Sequence, residues 1–272
     1  MKPWLPVLLL TSAALAGGAG APALPSLTLE ARTIGRTADI QAVQGVPRAE
    51  GPVFFFLRHT RAVLNRPGER WQPQYDTELP PAYVAVYPVA GLLTQYPERG
   101  KPYQLSTQVE TLRALNSGRL RLNEVRWPLT LPFLPLVNAP QYITGTAQPF
   151  RTPAVQGIRY LAVYSQEDGV LIDRERVFYT FQGLSRDGRS YVTVQVPYAP
   201  ASLPTRAELD RLRTTRTYEV APIPGTDKGP VYDAWRQKVD AYNGDVKRKL
   251  GAEDGKAGIR ALDALVHSIR LR

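Results

Sequence analysis

The chain has 272 residues, 43% hydrophobic and 21% charged, with no long low-complexity tract; this excludes a disordered protein and allows one large or two small domains with an ample core. It contains no cysteine and two histidines, which excludes disulfides, a lipid-anchored thiol and the usual zinc sites built from several such ligands. The formal net charge is +10, carried mostly by scattered arginines without interleaved aromatics, so a nucleic-acid platform is disfavoured; the arginines read either as a solvated surface or as attraction to anionic envelope polymers or headgroups.

The N-terminus reads as a secretory leader. Lys2 precedes an apolar run over residues 5–16, which breaks into Gly17-Gly18 and small residues. Cleavage is expected after Ala16 or Ala21, giving a leader over 1–21 and a mature chain over 22–272. The run is shorter than the roughly 20 residues a membrane anchor needs, so a soluble extracytoplasmic protein without a transmembrane span is expected.

Residues 27–31 and 37–46 are candidate strands, and the apolar run Val53-Phe54-Phe55-Phe56-Leu57 predicts a buried one. A turn-rich stretch over 65–81 leads to a strand over 83–87, terminated by Pro88. The first clear helix spans 105–117: Thr107 with Glu110 forms a capping box, Leu105, Val109, Leu112 and Leu115 form a stripe, and Gly118 stops it. Residues 127–136 follow as an apolar connector whose three prolines exclude a helix interior or a central strand. It must lie extended against the body, either as a packed crossover or as one wall of an apolar groove.

The strongest pattern covers residues 157–198, where three runs rich in Tyr, Phe, Val and Ile alternate with polar turns, as in consecutive antiparallel strands. Asp187-Gly188 supplies a hairpin turn, after which Val192, Val194 and Val196 point to one face and Tyr191, Thr193 and Gln195 to the other. Thr205 with Glu208 then caps a short basic helix, and Val220 ends a candidate strand before a turn over 222–229. Pro230 opens a long helix with the stripe Val231, Trp235, Val239, Tyr242, Val246 and Leu250, ended by Gly251. A short helix over 259–267 and an edge strand over 268–271 close the chain. The predicted architecture is a single α+β domain with a mainly antiparallel sheet and flanking helices.

The blocks YVAVYPVA, LPFLPLVNAPQ, RYLAVYSQ, FYTFQGLSRDGRSYVTVQVP and LDALVHSI, in that order over roughly residues 80–271, resemble a family of uncharacterised bacterial secreted proteins and lipoproteins. The chain lacks the lipoprotein cysteine, which favours a free protein. The hairpin, followed by a late helix and a final strand, also resembles PsbP-like domains, compact α+β sandwiches that mostly bind or scaffold. That resemblance implies a sandwich fold and a binding role.

No nucleophile motif accompanies His59 or His267, so both read as structural. The acidic loop Glu167, Asp168, Asp173 and Glu175 lacks the spacing of a calcium site and reads as a solvated hairpin loop. Neither a cofactor nor a catalytic residue is indicated. Two readings remain: a non-catalytic envelope-associated binding or scaffold module, or an extracytoplasmic hydrolase with an unrecognised carboxylate site. Under the first, the partner is an anionic envelope polymer or another envelope protein. The candidate surface is Tyr160, Tyr164, Tyr191 and Phe133, whose rings would either grip that partner or fill the covered faces of the sheet.

Overall fold

The structure, a computed structural model, describes residues 23–45, 57–74, 78–95, 104–126, 129–136, 139–214 and 228–272. Seven strands form one antiparallel sheet: β2 (Thr37–Val43), β3 (His59–Asn65), β4 (Tyr83–Pro88), β5 (Gln141–Arg151), β6 (Val155–Tyr164), β7 (Phe178–Ser185) and β8 (Ser190–Pro197). Their spatial order is β2-β3-β4-β8-β7-β6-β5. Two meanders, β2–β4 and β5–β8, therefore join where β4 pairs with β8, in register from Tyr83 opposite Gln195 to Pro88 opposite Ser190. A second, two-stranded sheet pairs β1 (Leu27–Thr28) with β9 (Arg270–Leu271).

Helices cover both faces of the large sheet. On one face α4 (Pro230–Gly251) and α5 (Ala257–Ser268) bury Val246, Leu250, Leu262 and Val266 against Leu161, Val163, Phe181, Val192 and Val194. The other face carries α1 (Val89–Gln95), α2 (Leu105–Asn116) and the apolar connector, packed over Tyr83, Tyr87, Ile158, Tyr160 and Tyr191. Alternation along each strand explains the split, since successive side chains leave on opposite faces and both faces are covered. The α+β class and the antiparallel meander of β6, β7 and β8 are as the sequence predicts.

Several local features differ from expectation. Strand β5 carries none of the regular alternation that identifies its neighbours, because register shifts interrupt its pairing between Gln141 and Ile143 and between Gly145 and Gln148. Thr146 falls in that second shift with a φ of +54°. Strand β3 begins at His59; of the predicted strand over 53–57 only Leu57 is described, and it precedes β3. Pro88 ends β4 by leading directly into α1, a helix too short for its stripe to stand out.

Helix α2 starts two residues before the predicted cap. Gln104 is the N-cap and makes no side-chain capping bond, so Thr107 and Glu110 lie within the helix instead of forming a capping box. The capping box of α3 (Arg206–Thr214) does form: Thr205 Oγ1 accepts from the Glu208 N–H, and the Glu208 carboxylate accepts from the Thr205 N–H. In α4 the buried stripe begins at Trp235, because Val231 is 69% exposed. The closing strand pairs with β1 in the small sheet and not with the edge of the large one. The leader, the strand ending at Val220 and most of the turn over 222–229 lie outside the described residues.

Candidate functional site

Phe133, Tyr160, Tyr164 and Tyr191 do come together, Phe133 from the connector and the three tyrosines from the sheet beneath it. Tyr160 and Tyr191 are wholly buried and Phe133 is 4% exposed. The Phe133 ring lies 4.7 Å from that of Tyr164 and 5.7 Å from that of Phe178. The Tyr160 hydroxyl donates to the Pro132 carbonyl at 2.8 Å, and the Tyr191 hydroxyl to Gln182 Oε1 at 2.8 Å. Burial pushes the pKa of the Tyr160, Tyr164 and Tyr191 phenols well up. Of the two readings of these rings, burial matches the second: they fill a covered face of the sheet, where the connector, with its own Phe133, lies over the tyrosines.

Side chains of the sheet and of α2 grip the connector's backbone. Gln182 Oε1 accepts from the Leu134 N–H at 2.9 Å, and Thr193 Oγ1 donates to the Leu134 carbonyl at 2.8 Å. Gln108 Oε1 accepts from the Phe133 N–H at 2.9 Å. Gln141 brackets Leu131, accepting from its N–H at 3.1 Å and donating to its carbonyl at 2.5 Å. An extended segment without strand partners needs such bonds, since a buried peptide group left unsatisfied costs about 1–3 kcal/mol.

Two carboxylates meet on the opposite face, on a buried cation. Arg159 Nη2 is 2.5 Å from Asp254 Oδ1, while Nε lies 3.2 Å from Asp263 Oδ1, an ion-pair contact without hydrogen-bond alignment. The guanidinium also donates to the Thr146 carbonyl and to Gln148 Oε1, and the Tyr179 hydroxyl donates to Asp263 at 2.8 Å. Hydrogen bonding from Arg159 holds the Asp254 carboxyl below its usual range, whereas burial pushes that of Asp263 up. Both acids are committed to tying the α4–α5 turn and α5 to β6 and β7. Neither lines the cleft described below.

His59 is built into the packing, whereas His267 is exposed. Since the Leu57 carbonyl can only accept, His59 Nδ1 carries the proton it donates there at 2.6 Å. Burial depresses its pKa to about 4, and its ring lies 4.6 Å from that of Tyr87. The exposed His267 ring lies 5.0 Å from that of Phe150. In the acidic loop, Asp173 accepts from the Arg176 N–H, Asp168 pairs with Arg236 at 3.2 Å, and Glu175 pairs with Arg174 at 3.3 Å. Among the described residues no group of three or more His, Asp or Glu side chains is placed to hold a metal, and no helix is long and apolar enough to cross a membrane.

An open cleft of about 810 Å³ lies at the end of the large sheet, where β4 finishes and the β7–β8 hairpin turns. Leu24 and Pro25, Val89 and Leu93, and Leu271 provide apolar walls. Three arginines also line it: Arg113 from α2, Arg189 from the hairpin, and Arg272 beyond β9. All three are exposed. Among the described residues Asp187 is the one carboxylate side chain in the lining; it accepts from Ser185 Oγ at 2.5 Å and from the Arg189 N–H at 3.1 Å, and these bonds lower its pKa. Sequence reasoning finds the Asp187-Gly188 turn but not the cleft, whose lining comes from segments far apart in the chain. Compared with protein-family models, with curated proteins and with solved structures, the chain has no match.

Proposed function

We propose that the protein is an extracytoplasmic, non-catalytic binding module that associates with anionic material of the cell envelope through the cleft beside the β7–β8 hairpin. The observation that carries this reading is the cleft's lining, which among the described residues sets three guanidinium side chains against one carboxylate side chain, around apolar walls. A net charge of +10 supports it, because excess positive charge raises the local concentration of polyanionic surfaces. The leader-like N-terminus and the resemblance of the strand and connector blocks to secreted proteins and lipoproteins support the location. The hydrolase reading finds its best footing in Asp254 and Asp263, yet Arg159 engages both carboxylates away from the cleft.

Co-sedimentation with isolated bacterial envelope fragments tests the proposal. Retention should fall steeply between about 0.1 and 1 M salt, over which the Debye length shrinks from roughly 10 to 3 Å. It should also fall in an Arg113→Gln/Arg189→Gln double variant whose melting temperature is unchanged. Salt-independent retention, or turnover of ester or glycoside substrates abolished by Asp263→Asn, would overturn it.

A further inference from the structure

We infer that the cleft beside the β7–β8 hairpin takes a single-chain anionic amphiphile, its hydrocarbon chain against Leu24, Val89, Leu93 and Leu271 and its phosphate or carboxylate head among Arg113, Arg189 and Arg272. The inference rests on the binding reading above and narrows it to one ligand class. Volume is the first argument. At about 810 Å³ the cleft falls in the range of roughly 300–1,000 Å³ typical of small-molecule sites.

Charge is the second argument. The three arginines are exposed and hydrated, so each holds an isolated inorganic anion weakly. Asp187, kept ionised by Ser185 Oγ and the Arg189 N–H and 3.9 Å from the Arg189 guanidinium, leaves the side chains of the described lining residues at a net +2, from three cations and one anion. That balance suits an anionic head. Chemistry of the walls is the third argument. Val89 is buried, while Leu24, Pro25, Leu93 and Leu271 are half-buried, so a hydrocarbon chain laid on them removes further apolar area from water. Neither the arginines nor the apolar walls would bind tightly alone. Together they match a molecule with a charged end and an oily body, and arginine suits a phosphate or carboxylate head because its planar fork can bond two oxygens at once.

Isothermal titration of the intact protein with dodecyl phosphate, below its micelle concentration, tests the inference, with inorganic phosphate and neutral dodecyl maltoside as parallel ligands. One saturable site for dodecyl phosphate is expected, at least about tenfold tighter than for either comparison ligand. Arg113→Gln/Arg189→Gln should weaken it about tenfold or more, and Leu24→Ser about threefold, both without loss of melting temperature. Inorganic phosphate binding as tightly would overturn the apolar half of the inference, and dodecyl maltoside binding as tightly would overturn the charged half. No saturable site, or a site indifferent to both variants, would overturn it entirely. Envelope retention that persists in that last case separates failure of the ligand class from failure of the binding reading.

Discussion

The two faces of the large sheet are covered by different kinds of element, and they differ in composition for that reason. Against α4 and α5 the sheet presents Leu161, Val163, Phe181, Val192 and Val194, an apolar layer interrupted by Arg159 and the Tyr179 hydroxyl, which reach Asp254 and Asp263. Beneath the connector it presents Tyr160, Thr180, Gln182, Tyr191 and Thr193, all buried and most of them hydrogen-bonded to the connector or to one another. A helix satisfies its own peptide groups and asks only for apolar contact. An extended segment crossing a sheet face satisfies none of its own, so the sheet below must supply donors and acceptors. Buried glutamine and threonine on this face thus mark where an unpaired backbone is held, not where a site opens to solvent.

The largest expected effect is on the helix-covered face. Gly157 and Gly183 are directly opposite on β6 and β7, and the Phe181 ring lies over Gly183. A Cβ at Gly157 would fall 2.1 Å from the Gln182 carbonyl oxygen and 2.4 Å from the Gly183 Cα, both backbone atoms of a central strand that cannot move aside. Gly157→Ala should therefore cost about 4 kcal/mol or more, at the extreme of single substitutions. Gly244→Ala, at an exposed α4 position with nothing within 4 Å of the added carbon, should be neutral or stabilising by up to about 1 kcal/mol. Urea denaturation midpoints measure both; similar midpoints would mean that the two strands do not approach as closely as described.

The middle effect is on the connector-covered face. Gln182 is wholly buried and makes bonds in both directions: Oε1 accepts from the Leu134 N–H and the Tyr191 hydroxyl, and Nε2 donates to Thr180 Oγ1 and Thr193 Oγ1. Gln182→Leu preserves most of the volume but leaves the Leu134 N–H and the Tyr191 hydroxyl without their acceptor. The expected loss is about 2–4 kcal/mol, from two buried groups at about 1–3 kcal/mol each with partial relaxation. Adding Tyr191→Phe removes one stranded donor, so the double variant should recover part of the loss. Additive penalties in the double-mutant cycle would contradict the shared acceptor.

These two faces also account for what is legible in the sequence. The α4 stripe from Trp235 to Leu250 and the strand alternation from Tyr191 to Val196 are local periodicities, and both appear as read. The rings of Phe133, Tyr160, Tyr164 and Tyr191 are correctly grouped but serve as core, because alternation places side chains on a face without saying what covers that face. In residues 178–184 the polar Thr180 and Gln182 alternate with Tyr179 and Phe181, a pattern equally consistent with a half-exposed strand. Strand β5 is hidden by its register shifts, and α1 by its seven-residue length. The cleft leaves no local signal at all: Leu24, Val89, Arg113, Arg189 and Arg272 become neighbours only when the small sheet closes beside the hairpin.

The smallest effect probes how the helix-covered face is fastened at its polar perimeter. Glu253, in the α4–α5 turn, is 2% exposed and accepts from the Tyr198 hydroxyl at 2.7 Å, Ser202 Oγ at 3.0 Å and Lys256 Nζ at 2.7 Å. Burial acts to raise its pKa, but the three hydrogen bonds outweigh burial, and the folded pKa lies below its ordinary value of 4.5. A carboxylate depressed on folding stabilises the protein fully at pH above 4.5, and that contribution is lost as pH falls through the folded value. Glu253→Gln keeps an acceptor for Tyr198 or Ser202 but cannot titrate and does not attract Lys256. The variant should melt lower than wild type at pH 7, and the gap should narrow steadily as the pH drops below 4.5. Melting curves recorded across that range measure it. A gap independent of pH would mean that Glu253 acts by shape alone, and that the turn is fastened by the Arg159–Asp254 pair without help from its neighbour.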